Sequence, residues 1–135
     1  METRPPYQPV NPHTPFFFRH SPLSLPLYLA LEERVLAAFP EARVRVQKTQ
    51  ISFSNRRNFA FASLLPARRT AERPNPFLTV TVGLPYRLGS PRVDAASEPY
   101  PGRWTHHIVI GSAEEIDGEL MGWIGEAAEF SARKR

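Results

Sequence analysis

Few side chains in this sequence could do catalytic chemistry, and the clearest are three that could meet as a carboxylate, an ammonium and an imidazole. Glu32 falls inside the apolar stripe of a predicted helix, where a carboxylate needs a partner. Lys48, which follows Val44 and Val46 on one strand parity, and His106, on a mainly apolar strand face, are the candidate partners. A pocket that joins Glu32, Lys48 and His106 is therefore one hypothesis for an active site. The simpler alternative, which the pattern favours, places Glu32 at the edge of its stripe with its carboxylate in water.

The two adjacent histidines do not predict a metal site. His106 and His107 follow each other on a predicted strand, where neighbouring side chains point to opposite faces, so they cannot chelate one ion together. We expect His106 to be a hydrogen-bonded histidine near the core, and we expect no metal and no cofactor. The 135-residue chain has no cysteine, which excludes disulfides, thiol catalysis and Cys-ligated zinc. Motifs for serine nucleophiles, zinc peptidases and nucleotide-binding loops are also missing, which favours a binding protein over an enzyme.

Arginine supplies most of the positive charge, and its distribution points to an anionic partner. The net charge is +4, but residues 43–73 hold eight basic residues and one acidic residue, whereas residues 114–129 hold six acidic residues and no basic one. Arginine-rich turns suit phosphate contacts, which makes nucleic acid a candidate partner. The candidate anion-binding residues are Lys48, Arg56, Arg57 and Arg103. The alternative is a solvated surface without a ligand, because a strand meander divides this charge between the two ends of a sheet.

Two helices and a sheet must position these side chains. Apolar residues at helical spacing predict a first helix from Leu25 to Phe39, which Pro40 ends, and the capping-box spacing of Ser112 and Glu115 predicts a second helix that starts at Ser112. Extended runs predict strands at 43–46, 51–54, 59–65, 77–83 and 105–110. The predicted fold class is α+β: an N-terminal helix, an antiparallel sheet of four or five strands, and a C-terminal helix packed on the sheet.

Residues 84–103 contain four prolines and are too long for a plain connection. A small hairpin around Gly89 and Ser90, followed by a loop at 94–102, would account for them. A pocket between the sheet and the 84–103 loop is the basis of an alternative function, in which the protein binds a small molecule or acts as an enzyme with the three residues named first.

The prolines divide the chain into an arm and a domain. Seven of the 15 prolines fall within residues 1–26, so we predict a Pro-rich N-terminal arm over residues 1–21 and a single α+β domain over residues 22–135. The arm's aromatic residues, or the glycine-rich helix at 113–130, could form a homodimer interface, which gives a third hypothesis of a protein-interaction domain. No apolar run is long enough to cross a bilayer, and we expect a cytoplasmic protein without a membrane partner.

Five runs of sequence carry a family resemblance. They are 43–53 (RVRVQKTQISF), 58–62 (NFAFA), 79–84 (TVTVGL), 103–110 (RWTHHIVI) and 115–127 (EIDGELMGWIGEA). Their order and spacing resemble a small bacterial family, domain of unknown function 5655, over about residues 28–130, and the arm before Pro22 departs from it. The resemblance implies a compact α+β domain and no established activity, cofactor or catalytic residue. We therefore predict a non-enzymatic module that binds an anionic partner through its arginine-rich loops.

Overall fold

The computed structural model describes residues 6–66 and 72–133, which fold as an α+β protein. The helices are α1 (Thr14–Phe17), α2 (Leu25–Ala38) and α3 (Gly118–Arg133). The strands are β1 (Arg43–Val46), β2 (Ile51–Ser54), β3 (Asn58–Ser63), β4 (Leu78–Leu84), β5 (Ala95–Tyr100) and β6 (Arg103–Ile110). Short 3₁₀-helical turns at Pro22–Ser24 and Ala113–Glu115 come before α2 and α3.

The six strands form one antiparallel sheet in the order β1-β2-β3-β4-β6-β5. Strands β1 to β4 are a meander, and β6 pairs with β4 and carries β5 on its outer side. The β2–β3 turn at 55–57 and the β5–β6 turn at 101–102 therefore lie at the same end of the sheet, which we call the arginine end. The β1–β2 turn at 47–50 lies at the other end.

One face of the sheet, the helical face, carries the apolar core. Residues opposite each other in an antiparallel ladder share a face. The pairs on this face include Phe53–Ala60, Ala62–Val80, Val80–Ile108 and Leu78–Ile110. The Tyr28 ring of α2 stacks 6.2 Å from the Phe53 ring, and α3 buries Leu120 and Ile124 in the same cluster. Both long helices therefore cover this face.

A β-bulge brings one more aromatic ring into the core. The β2–β3 register shifts after Phe53, so that Phe59 is an extra residue on β3. A bulge interrupts the strict alternation of side chains, which lets Phe59 join the core together with its neighbour Ala60. The Phe59 ring packs 5.2 Å from Phe39, the residue that ends α2, and so ties this helix to the sheet near the arginine end.

The α+β class, the first helix and the five predicted strand positions are confirmed, but the sheet has a sixth strand. The prediction of a loop at 94–102 is wrong, because residues 95–100 form β5 along the edge of β6. The predicted hairpin around Gly89 is also wrong, since residues 85–94 contain no strand. This segment instead crosses the helical face, where the Leu88 amide reaches a core histidine.

The predicted start of the second helix is wrong by six residues. Ser112 makes no side-chain cap, and α3 begins at Gly118. Asp117 caps α3 by accepting the Leu120 amide at 3.0 Å, whereas Glu115 accepts the Gly111 amide at 2.8 Å. The carboxylate expected in a capping box therefore holds the end of β6 instead.

The described part of the predicted arm packs on the rest of the chain. Phe18 is buried in the core, with its ring 5.3 Å from that of Tyr28. The Asn11 side-chain amide donates a hydrogen bond to the Val44 carbonyl of the edge strand β1 at 3.4 Å. These contacts join the N-terminal segment to α2 and β1.

Candidate functional site

Glu32 is fully buried and is held by hydroxyl and amide donors. Its Oε2 accepts hydrogen bonds from the Tyr7 hydroxyl at 2.7 Å and the Val10 amide at 3.1 Å, and its Oε1 accepts one from the Tyr28 hydroxyl at 2.8 Å. The expectation that Glu32 reaches water at the edge of its stripe is therefore wrong. Its bonds join the N-terminal segment to α2, and they do not involve Lys48 or His106.

The two tyrosines that bind Glu32 remain protonated donors. Burial raises the pKa of both Tyr7 and Tyr28 well above the usual range, and the nearby Glu32 carboxylate raises each further because a tyrosinate beside it would be a second negative charge. Neither hydroxyl ionises near neutral pH. The group of Glu32, Tyr7 and Tyr28 is therefore a hydrogen-bonded anchor for the N-terminal segment.

His106 is buried on the helical face, where the Leu88 amide donates a hydrogen bond to its Nε2 at 3.0 Å. Burial lowers the pKa of His106; the Val82 backbone offsets part of this effect, and the charges of His107 and Arg87 add to it. Its Nδ1 lies outside hydrogen-bonding geometry with the described residues. The prediction of a hydrogen-bonded histidine near the core is confirmed, and the ring is the neutral acceptor of the Leu88 amide.

The structure does not bring Glu32, Lys48 and His106 together. Lys48 is exposed in the β1–β2 turn, and β1 is four strand spacings from β6. At about 4.8 Å per spacing, about 19 Å of sheet separates the strands that carry Lys48 and His106. An open cleft of about 490 Å³ does lie between residues 87–90 and the start of β5, but none of the three side chains lines it.

Three of the four predicted anion-binding residues lie at the arginine end of the sheet. Arg56 and Arg57 are exposed in the β2–β3 turn, and Arg103 begins β6 at the same end. The Arg103 guanidinium lies 5.9 Å from the centre of the Tyr100 ring. Lys48 lies at the opposite end, roughly 15 Å away along β2 at about 3.3 Å per residue.

Arg43 and Arg56 also line an open cleft of about 650 Å³ beside the C-terminus of α2. The same cleft is lined by Glu41, and the last carbonyl groups of a helix carry partial negative charge. These features disfavour an anion inside the cleft itself. Arg68 and Arg69, which contribute to the charge pattern in the sequence, lie outside the described residues.

The face of the sheet opposite the helices, the open face, carries polar, basic and aromatic side chains. The register aligns one row directly across the six strands: Arg45, Ser52, Phe61, Thr81, His107 and Ala95. Arg43 and Arg103 have the same strand parity as this row. Phe61 and Val109 belong to this face and lie outside the core cluster. Among the described residues, no paired position of the open face is Asp or Glu.

One contact of His107 and one of Thr79 show which residues carry charge on the open face and where the face ends. His107 Nδ1 lies 2.9 Å from the Thr81 hydroxyl, and burial lowers the pKa of His107, so arginine and not histidine supplies the positive charge at neutral pH. The Thr79 hydroxyl donates to the Leu65 carbonyl at 2.6 Å, which places the start of the β3–β4 connection over the end of this face that is remote from the arginine end.

The acidic residues of α3 lie on the other side of the sheet, whereas Glu41 and Glu98 lie near the arginine end. Helix α3 packs on the helical face and exposes Glu119, Glu126 and Glu129. Arg92 Nη1 lies 2.9 Å from Asp117 and 3.0 Å from Glu119, which fixes the 85–94 segment to the start of α3. The Leu120 amide and then Arg92 hold the pKa of Asp117 below its usual value. The charge asymmetry in the sequence therefore becomes an asymmetry between two faces.

Sequence reasoning placed the candidate anion-binding residues in turns and did not consider Arg43, Arg45 and Phe61, which the structure places on the open face. The alternation of arginine with valine over residues 43–46 was the available signal, since alternate residues of a strand share a face. Alternation alone could not tell which face the helices cover. That assignment depends on the packing of α2 and α3.

Within residues 6–66 and 72–133, no group of three or more His, Cys, Asp or Glu side chains is arranged to hold a metal ion. None of the helices in the same residues combines the length and the apolar character that a bilayer span requires.

The comparison with protein families finds a match over most of the chain. The family described as domain of unknown function DUF5655 matches residues 17–131, which is most of the chain. The chain belongs to the DUF5655 family. The match confirms the resemblance seen in the sequence, and it begins at Phe17, so the DUF5655 domain includes the core residue Phe18. Comparison with curated proteins and with solved structures gives no match.

Proposed function

We propose that this DUF5655 domain is a non-enzymatic module that binds a polyanion, and that nucleic acid is the class of partner it fits best. The observation that carries the proposal is the grouping of arginines on the open face and at its arginine end. Arg43, Arg45 and Arg103 share the open face, and the turn at 55–57 adds Arg56 and Arg57 at its end. Arginine side chains of this kind bind phosphates through charge-assisted hydrogen bonds.

The distribution of acidic residues supports the same orientation of the partner. The exposed carboxylates of α3 lie behind the sheet, so they repel a polyanion from the helical face, whereas the open face attracts it. A binding surface with this asymmetry steers an incoming nucleic acid to one side of the protein before any contact forms. Lys48, at the other end of the strands, is not part of the proposed surface.

The test is a fluorescence-anisotropy titration with a labelled 20-nucleotide single strand and its duplex at several salt concentrations. Each phosphate contact contributes about 0.7 to the slope of log affinity against log salt for a single strand, because contacts release counterions. The double variant Arg56→Ala and Arg57→Ala should therefore flatten the single-strand slope by about 1.4. Lys48→Ala is the matched control, and we expect it to change the slope by less than half as much.

Two results would contradict the proposal. One is the absence of binding to either probe at low salt. The other is binding whose affinity does not depend on salt, since such binding would not use the arginines as phosphate contacts.

A further inference from the structure

We propose that the open face is a stacking platform for the bases of single-stranded nucleic acid, with Phe61 at its centre. This inference rests on the proposed anion-binding function and specifies the form of its partner. Single-strand-binding surfaces combine cationic side chains that follow the phosphates with aromatic rings that stack on the bases. In a duplex the base faces are already stacked, so a ring in the middle of a sheet can engage only unpaired bases.

Phe61 has the placement that stacking requires. It lies on β3, in the middle of the sheet, and its ring belongs to the face that the helices do not cover. Its direct neighbours across the strands are Ser52, which is buried, and Thr81, which is partly exposed; both side chains are small. The ring is half-buried and therefore keeps part of its surface available in a row of polar residues.

Gly83 provides space next to the ring. It is diagonal to Phe61 on the open face, because Phe61 pairs with Thr81 and Gly83 pairs with Thr105. A Cβ added at Gly83 would find no heavy atom nearer than 4.0 Å.

The arginines flank the ring on both sides. Arg45 on β1 lies in the same row as Phe61, two strand spacings or about 10 Å away. Arg103 on β6 is also two spacings away, and it lies about 13 Å nearer the arginine end than His107 of that row. The exposed Tyr100 pairs with Arg103 and adds a second aromatic ring beside the guanidinium. A strand whose bases meet Phe61 therefore has cationic groups within reach of its phosphates on either side.

The experiment measures binding of labelled dT12 to the full chain by anisotropy, with an abasic 12-mer as a probe that keeps the phosphates and lacks the bases. Phe61→Leu should weaken dT12 binding at least fivefold and leave abasic binding within twofold. Phe61→Tyr should restore dT12 binding, because the ring is kept. Phe16→Leu is the matched control, since Phe16 is an exposed aromatic, 66% accessible, and belongs to α1 and not to the sheet.

A second variant covers the case in which Phe61→Leu fails to fold. Gly83→Val has room for its side chain and suits a strand, so the fold should survive, while the added methyl groups fill the space beside Phe61. We expect it to weaken dT12 binding at least fivefold and to leave abasic binding unchanged.

The outcomes separate this inference from the function on which it rests. If Phe61→Leu and Gly83→Val leave dT12 binding within twofold while the Arg56→Ala and Arg57→Ala variant weakens it, the platform is overturned and the anion-binding function stands. Equal loss of dT12 and abasic binding in the Phe61 variant would also overturn the platform. If neither probe binds at low salt, both proposals fail.

Discussion

At the scale of single residues, His106 connects the sheet to the segment at 85–94 through a bond that needs a neutral ring. Protonation of Nε2 would remove the acceptor of the Leu88 amide in a site from which water is excluded. Burial holds the pKa of His106 below its ordinary value of about 6.5, so the folded state binds fewer protons than the unfolded state at mildly acidic pH. The stability that this residue contributes is complete above pH 6.5 and is lost as the pH falls toward the folded-state pKa.

We therefore expect the free energy of unfolding to fall as the pH is lowered from about 6.5. His106→Gln keeps an acceptor for the Leu88 amide and removes the titration, so it should reduce this pH dependence. Urea unfolding between pH 5 and 7.5, on the order of the range in which histidine titrates, measures the effect. His107→Gln is the control. The pKa of His107 is also lowered, so this variant should remove only the part of the pH dependence that comes from His107. A pH dependence unchanged in His106→Gln would contradict the assignment.

The burial of Glu32 shows which features of its environment a helical wheel can predict and which it cannot. The wheel correctly places Glu32 in the apolar stripe, and Tyr28 four residues earlier is within reach of it on any helix. The other donors, the Tyr7 hydroxyl and the Val10 amide, come from a proline-rich segment whose path depends on tertiary contacts. The set of partners that bind Glu32 was therefore not predictable from spacing.

At the scale of elements, the glycines differ in how closely other atoms pack against them. A Cβ at Gly111, directly after β6, would lie 2.5 Å from Cβ of Pro74, whereas a Cβ at Gly122 in α3 would meet no atom within 4 Å. Gly111→Ala should lower the free energy of unfolding by about 1–3 kcal/mol, because the rigid proline ring must move. Gly122→Ala, the matched substitution, should raise it by up to about 1 kcal/mol.

Thermal or urea unfolding followed by circular dichroism compares the two glycine variants with the parent chain. If both alanine variants change stability in the same direction, the close contact between Gly111 and Pro74 does not constrain the fold, and the prediction is wrong.

The elements that sequence patterns predicted well are those in which local and tertiary preferences agree. The alternation of valine and threonine in β4 marked a strand, and the apolar stripe of α2 ended correctly before Pro40. Strand β5 was missed because AASEPY has few residues of high β-propensity and contains Pro99, and it forms by pairing with β6. The start of α3 was missed because Glu115 bonds the Gly111 amide and leaves capping to Asp117.

At the scale of the whole molecule, the separation of charge between the open face and α3 should act over a distance. Replacing Glu114 and Glu129 with glutamine removes negative charge from exposed positions on the side of α3. At about 0.01 M salt the screening length is about 30 Å, so this change should raise the rate of association with an oligonucleotide by about twofold or more. At about 0.15 M salt the screening length is about 8 Å, and the difference should largely disappear.

Stopped-flow measurement of association at the two salt concentrations is the appropriate test of this charge effect. Ala113→Gln serves as a neutral control, because it changes an exposed side chain next to Glu114 without changing charge. A rate increase that persists at the higher salt would indicate a contact with α3 and would contradict steering by the long-range field.

The two edge strands limit how copies of this protein can meet. Strand β1 has only four residues, two of them arginine, and the Asn11 amide already occupies its Val44 carbonyl. Strand β5 contains Pro99, which has no amide hydrogen to donate, and its register is irregular between Ser97 and Tyr100. Neither edge offers a regular row of donors and acceptors that could template another chain's strand. Growth of a continuous intermolecular sheet, the first step toward a fibril, is therefore blocked on both sides while the chain stays folded.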